Sequence, residues 1–112
     1  MSAITTHVLD VSRGRPASGI AVLLEHVDVQ RSPTVSRGTT DADGRIKAFA
    51  PAARLHPGTY RLTFEVGAYF AATGVDAFYP RVVVEFDVRD PAQHYHVPLL
   101  LSPYGYSTYR GS

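Results

Sequence analysis

The sequence predicts an all-β protein, an antiparallel β-sandwich of about eight strands with at most one short helix. Three observations lead there. Apolar and β-branched residues alternate with polar ones at period two along most of the chain, the spacing at which one face of a strand is buried. Clusters of Gly, Pro, Asp and Ser interrupt the alternation at regular intervals, as turns between short strands do. No stretch strongly signals the 3.6-residue apolar period of an amphipathic helix.

In chain order, the first strand covers Ile4–Val11. Gly14-Arg15-Pro16 and Ser18-Gly19 turn the chain into a second at Ile20–Val29, and a third follows at Val35–Thr40. Asp41-Ala42-Asp43-Gly44 makes a tight turn, because Asp side chains accept hydrogen bonds from backbone just ahead and Gly tolerates positive φ. Arg45–Phe49 runs out of that turn as the fourth strand. Ala48–Leu55 has room for one short helical turn, which Pro51 limits. After Pro57-Gly58 comes Thr59–Val66, with Tyr60, Leu62, Phe64 and Val66 lining one face. In Val82–Val88, Val82, Val84, Phe86 and Val88 face one way, Glu85 and Asp87 the other. Asp90-Pro91 leads into His94–Leu101, and Pro103-Tyr104-Gly105 into the last strand, Tyr106–Arg110.

Some strands are apolar on both faces. Ile20, Val22 and Leu24 alternate with Ala21, Leu23 and Val27, while Leu99, Leu100 and Leu101 are consecutive. One face can turn to the core; the other needs a second cover. For so short a chain the expected cover is another copy packed with two-fold symmetry.

Composition narrows the function. The 112 residues suit one domain spanning 1–112. Cysteine is absent, which removes disulfides and thiolate metal sites. Eleven basic against ten acidic residues, without a basic run, make nucleic acid a poor partner. Apolar runs fall far short of the roughly 20 residues that span a bilayer, so no membrane partner is expected. Met1-Ser2-Ala3 passes directly into strand-like sequence without a signal-peptide pattern, and the expected compartment is the cytoplasm.

Chemistry-bearing residues gather at three places. His7 lies mid-strand. His94 and His96 share one strand face, and an imidazole is suited to accept a proton near neutral pH. The His-x-His spacing of His94 and His96 suggests metal, but zinc requires three or four ligands and His7 would be a third only if the strands meet; Asp41–Gly44 lacks the downstream glutamate of a calcium loop. His26 and His56 read as structural. Arg45, rigidly based after its turn, offers a planar fork for carbonyl or anionic oxygens. The chain ends on Tyr109-Arg110-Gly111-Ser112, directly behind a strand. Together these outline a site of His7, Arg45, His96 and the terminal tetrapeptide, without naming its substrate.

The same residues belong to a longer ordered set. It comprises Thr6-His7-Val8-Leu9-Asp10, Gly14-Arg15-Pro16-Ala17, Thr40 with Asp43-Gly44-Arg45, Pro57-Gly58-Thr59-Tyr60, Tyr69-Phe70 and Phe78-Tyr79-Pro80. It closes with His94 through Tyr104 and the ending Ser107 through Ser112. In this order, over nearly its whole length, the chain resembles the 5-hydroxyisourate hydrolases, transthyretin-related enzymes of purine breakdown. Only Lys47–His56 departs, alanine-rich where relatives often carry a more helical segment.

The resemblance implies a transthyretin-like sandwich assembled as a homotetramer, with active sites in a channel at the dimer–dimer interface. It implies catalytic roles for His7, Arg45 and His96, and substrate contacts from His7, Arg45, Tyr109 and Ser112 with its carboxylate. It implies no metal or organic cofactor. The substrate it implies is the small molecule 5-hydroxyisourate, whose cyclic amide water opens to give 2-oxo-4-hydroxy-4-carboxy-5-ureidoimidazoline. Which histidine would act as base stays open. A transthyretin-like carrier of hormone-type ligands is the alternative, and the histidines with Arg45 and the tail weigh against it.

Overall fold

A computed structural model of the chain describes residues 2–28, 30–51 and 55–112. In order these form β1 (Ser2–Asp10), β2 (Arg15–Pro16), β3 (Ala21–Val27), β4 (Thr34–Thr39), β5 (Arg45–Pro51), β6 (Gly58–Phe64), α1 (Val66–Ala72), β7 (Val82–Val88), β8 (Tyr95–Ser102) and β9 (Gly105–Thr108). The eight expected strands are present with shifted ends, and β2 is added where Pro16 and Arg15 pair with Leu9 and Asp10. Val29, expected to end the second strand, lies outside the described residues.

Two sheets result. One runs β2–β1–β8–β9, with β5 also pairing to β1; the other runs β4–β3–β6–β7. Named strand pairs are antiparallel except β1 with β8, which is parallel. A parallel pair needs a long crossover. Here the whole second sheet supplies it, being built between β1 and β8 in sequence.

The alternation predicts the core. Ile4, Val8, Leu99 and Leu101 from the first sheet join Leu24, Leu62, Phe64 and Val82 from the second in one buried cluster. Tyr60, Leu62 and Phe64 are buried as expected, and Val82, Val84 and Val88 turn inward from β7 while Glu85 and Asp87 stay exposed.

The single helix lies elsewhere than expected. Ala48–Pro51 continues β5, and residues 52–54 of the expected helical stretch lie outside the described residues. The helix is α1, with Val66, Tyr69 and Phe70 buried at the i, i+3, i+4 spacing. At seven residues it is too short to announce a period, and Val66 also completes the alternating Tyr60-Leu62-Phe64 series. Gly67 lets the helix pass tightly under the chain: its N–H bonds the Pro80 carbonyl at 2.9 Å, and a Cβ there would meet that oxygen at 2.8 Å.

Asp10 ties the end of β1 to this helix. It is 1% exposed, and its carboxylate accepts hydrogen bonds from the hydroxyls of Tyr69 and Ser12, both at 2.7 Å. The Arg13 backbone N–H adds a third at 3.3 Å. Burial works to raise the carboxyl's pKa, but these hydrogen bonds outweigh it and hold the pKa below the ordinary 3.8. The ionised carboxylate therefore favours the folded state at pH above 3.8. That contribution is lost as the pH falls through the lower folded-state value. Tyr69→Phe should cost about 1–3 kcal/mol at neutral pH. In thermal melts the gap to the unsubstituted protein should narrow on acidification below 3.8; a gap independent of pH would contradict this account.

Candidate active site

Alternation along β1 buries Ile4, Thr6, Val8 and Asp10 and leaves Thr5, His7 and Leu9 half-buried on the outer face. Along β8, Tyr95, Val97, Leu99 and Leu101 turn to the core, so His96 and Leu100 take the outer face. Register then decides proximity. Thr5 pairs with His96 and His7 with Pro98, which puts the two histidines diagonally across adjacent strands. A rise of about 3.3 Å per residue and a strand spacing of about 4.8 Å give roughly 8 Å between their Cα atoms. That is within the span of a small heterocycle bound between the rings.

Arg45 begins β5 directly opposite His7. Its base is rigid, because Asp41 Oδ1 accepts the Asp43 and Arg45 backbone N–H groups at 2.9 and 3.0 Å. Gly44 takes φ 73° to complete the turn, and its carbonyl accepts the Val8 N–H at 2.8 Å, locking the turn to β1. Ile46 is buried beside it while Arg45 is exposed. Among the described residues, the Arg45 guanidinium has no carboxylate partner.

The C-terminal tail returns to the same place. Past β9, Arg110 donates to Gln93 Oε1 at 3.0 Å and to the His94 carbonyl at 3.3 Å. Its guanidinium stacks 4.6 Å from the centre of the Tyr95 ring. Gly111 then bridges to His96, its N–H donating to the His96 carbonyl at 2.8 Å. A Cβ at Gly111 would fall 2.6 Å from His96 Cδ2 and 3.2 Å from Pro98 Cγ, so only glycine lets the tail lie this close to the ring. Ser112 and its carboxylate follow one residue on, exposed.

Histidines 94 and 96 are joined through a hydroxyl. Thr5 Oγ1 lies 2.8 Å from His96 Nδ1 and 3.0 Å from His94 Nε2. The His-x-His spacing thus converges on Thr5. Among the described residues no three His or acidic side chains come together as a metal cluster. Burial, first, and then the positive neighbours Arg45, His7 and His94 lower the pKa of His96 below 6.5; a hydrogen bond at Thr5 opposes them weakly. His96 is therefore a neutral imidazole near pH 7, with Nε2 as the ring nitrogen not engaged by Thr5. Two imidazoles and a guanidinium on one sheet face can move a proton and polarise a carbonyl.

His7, Arg45, His96 and the Gly111–Ser112 end are thus gathered on one face. Tyr109 is not: 57% exposed, it lines a separate hollow of about 200 Å³ with Phe86, Tyr95, Val97 and Thr108. His26 stacks on Tyr60 at 4.5 Å and His56 is exposed, both apart from the site. Thr5 and Gly111 carry interactions not singled out from the sequence. Period two places Thr5 on the face of His7, but its partners come from a strand 91 residues away.

The chain is similar to known proteins over nearly its full length. The model of the HIUase/Transthyretin family matches residues 4–111. A 5-hydroxyisourate hydrolase of Salmonella dublin is 48% identical over 109 residues, covering 97% of this chain and 80% of that protein. The solved structure of Klebsiella pneumoniae 5-hydroxyisourate hydrolase superposes with a TM-score of 0.85 at 41% identity, covering 99% of this chain and 100% of the other. Sea bream transthyretin in complex with thyroxine superposes at 0.91 with 29% identity, covering 97% and 94%.

Titrated by NMR, His96 should show a midpoint below 6.5, and Arg45→Gln should raise it only part of the way, since burial is the larger cause. A midpoint unmoved by Arg45→Gln would place the guanidinium out of electrostatic reach. Gly111→Ala should lift the tail from His96, read as faster carboxypeptidase trimming of the terminal residues. An unchanged trimming rate would mean the tail is held without the close contact at His96.

Proposed function

The chain belongs to the HIUase/transthyretin family, and from that premise we infer that it hydrolyses 5-hydroxyisourate in urate breakdown. The observation that carries a catalytic reading is the register that sets His7 and His96 on one face with Arg45 opposite His7. A carrier needs an enclosed, mainly apolar cavity; this face offers proton acceptors and a cation.

In the proposed reaction one imidazole takes a proton from water as the oxygen bonds to the carbonyl carbon of the cyclic amide. The guanidinium of Arg45 pairs with the oxyanion that forms. The ring C–N bond then breaks, and the departing nitrogen takes a proton from the second imidazole. His96, held neutral by burial and by Arg45, suits the accepting role. A positioned base supplies about 10²–10⁴-fold and an oxyanion donor about 10²–10³-fold, enough for a ring that water already opens slowly. No metal or organic cofactor enters this scheme.

Assembly completes the proposal. Leu9 and Leu100 sit half-buried on the imidazole face, so a second copy laid across it would cover apolar surface and exclude water from the rings. A homotetramer with sites between its dimers has this form. Tyr109 and Ser112 would close such a site against the substrate, Tyr109 being exposed and free to meet a neighbouring copy. Cytoplasmic residence fits a cysteine-free chain; among the described residues no helix is long and apolar enough to cross a membrane.

The test generates 5-hydroxyisourate from urate with an oxidase and follows the decay of its ultraviolet band. The protein should speed that decay. His7→Asn and His96→Asn should each lower turnover at least about tenfold, and Arg45→Gln about 10²–10³-fold. An unaccelerated decay would sink the hydrolase reading, and full activity in both histidine variants would remove the imidazoles from the chemistry. Deleting Tyr109–Ser112 should abolish most activity while leaving assembly and melting nearly unchanged; an active truncated chain would take the tail out of the site.

A further inference from the structure

We propose that Thr5 is a positioning residue for His96, its hydroxyl setting which ring nitrogen of His96 holds the proton and passing that proton on to His94. This rests on the reading of His96 as the group that takes a proton from water.

Thr5 Oγ1 lies within hydrogen-bond distance of both His96 Nδ1 and His94 Nε2. A hydroxyl has one hydrogen to give and lone pairs to accept with, so between two imidazoles it donates to one and accepts from the other. In the arrangement that suits catalysis, His96 Nδ1–H donates to Thr5 and Thr5 donates to His94 Nε2. His96 Nε2 then presents a bare lone pair. The titratable and charged groups that face His96 are Arg45 on β5, His7 on β1 and His94 on the approach to β8, with Arg110 and the terminal carboxylate on the tail.

When Nε2 takes the proton of the attacking water, His96 becomes a cation in a half-buried place beside Arg45. The relay discharges it. The Nδ1 proton moves to Thr5 Oγ1 as the Thr5 proton moves to His94 Nε2, and the charge arrives on a ring exposed to solvent. His96 is left neutral with its proton on Nε2, and the departing ring nitrogen takes its proton from the second imidazole, His7. His94 then returns its proton through Thr5 to Nδ1 as Nε2 gives its own back to His7, which restores every group. One proton has entered at Nε2 and one has reached His94, so the count balances.

Nitrogen-15 NMR of His96 above its titration midpoint should show Nδ1 protonated and Nε2 bare. Thr5→Val, which removes the hydroxyl at nearly constant shape, should shift the proton toward Nε2. It should also lower kcat about tenfold with KM little changed, and turn a curved proton inventory linear. Thr5→Ser should behave as the unsubstituted protein. His94→Gln should keep the Nδ1–H form, its amide oxygen accepting from Thr5, yet lose kcat. If Thr5→Val retains both the Nδ1–H form and full kcat, or if His94→Gln retains full kcat, the relay is overturned. Failure of the unsubstituted protein to act on 5-hydroxyisourate would instead sink the hydrolase reading and, with it, the transfer to His94. The NMR result would still decide whether Thr5 sets the tautomer.

Discussion

Everything at the candidate site depends on the parallel pairing of β1 with β8. That ladder places Thr5 against His96 and His7 against Pro98, and so creates one surface from residues near opposite ends of the chain. Strand side chains alternate, so a slip of one residue would send His96 into the core and bring Val97 outward. Core packing forbids it, since Ile4, Val8, Leu99 and Leu101 are wholly or almost wholly buried and specify the register. The hydrophobic core thus acts on function indirectly, by fixing which residues cannot face inward.

The chain end is held from the other side of β8. Termini fray unless held, and this one is held three times: by the β8–β9 ladder, by Arg110 against Gln93, His94 and Tyr95, and by Gly111 against the His96 backbone. The tail has a steric condition that the strands lack. Its penultimate residue must have no side chain, because the imidazole and Pro98 occupy the space.

Two buried or half-buried ionisable groups show opposite solutions to desolvation. Asp10 is surrounded by hydrogen-bond donors, which stabilise its charge and fasten α1 to β1. His96 is half-buried beside the Arg45 cation and has a hydroxyl at Nδ1, so its charged form is the disfavoured one. The first arrangement suits a structural tie. The second suits a group that must accept a proton briefly and release it, as a general base does. A sandwich of this shape can serve either binding or catalysis, and the distinction here lies in side chains on one sheet face.

Local sequence determined a good deal. Period two and turn residues located the strands, because a half-buried strand and a tight turn each impose their own short-range pattern. The Asp41–Gly44 turn could be read directly for the same reason, and with it the rigid base of Arg45. The helix could not: it is only seven residues long, and its first residue, Val66, completes the alternation of β6. The parallel pair, the bridge from Gly111 to His96 and the Thr5 hydroxyl between two imidazoles were decided by tertiary structure alone. The first and last join residues with the whole second sheet between them in sequence, the bridge joins the tail back across the β8–β9 turn, and no short-range pattern encodes which distant backbone a strand will meet.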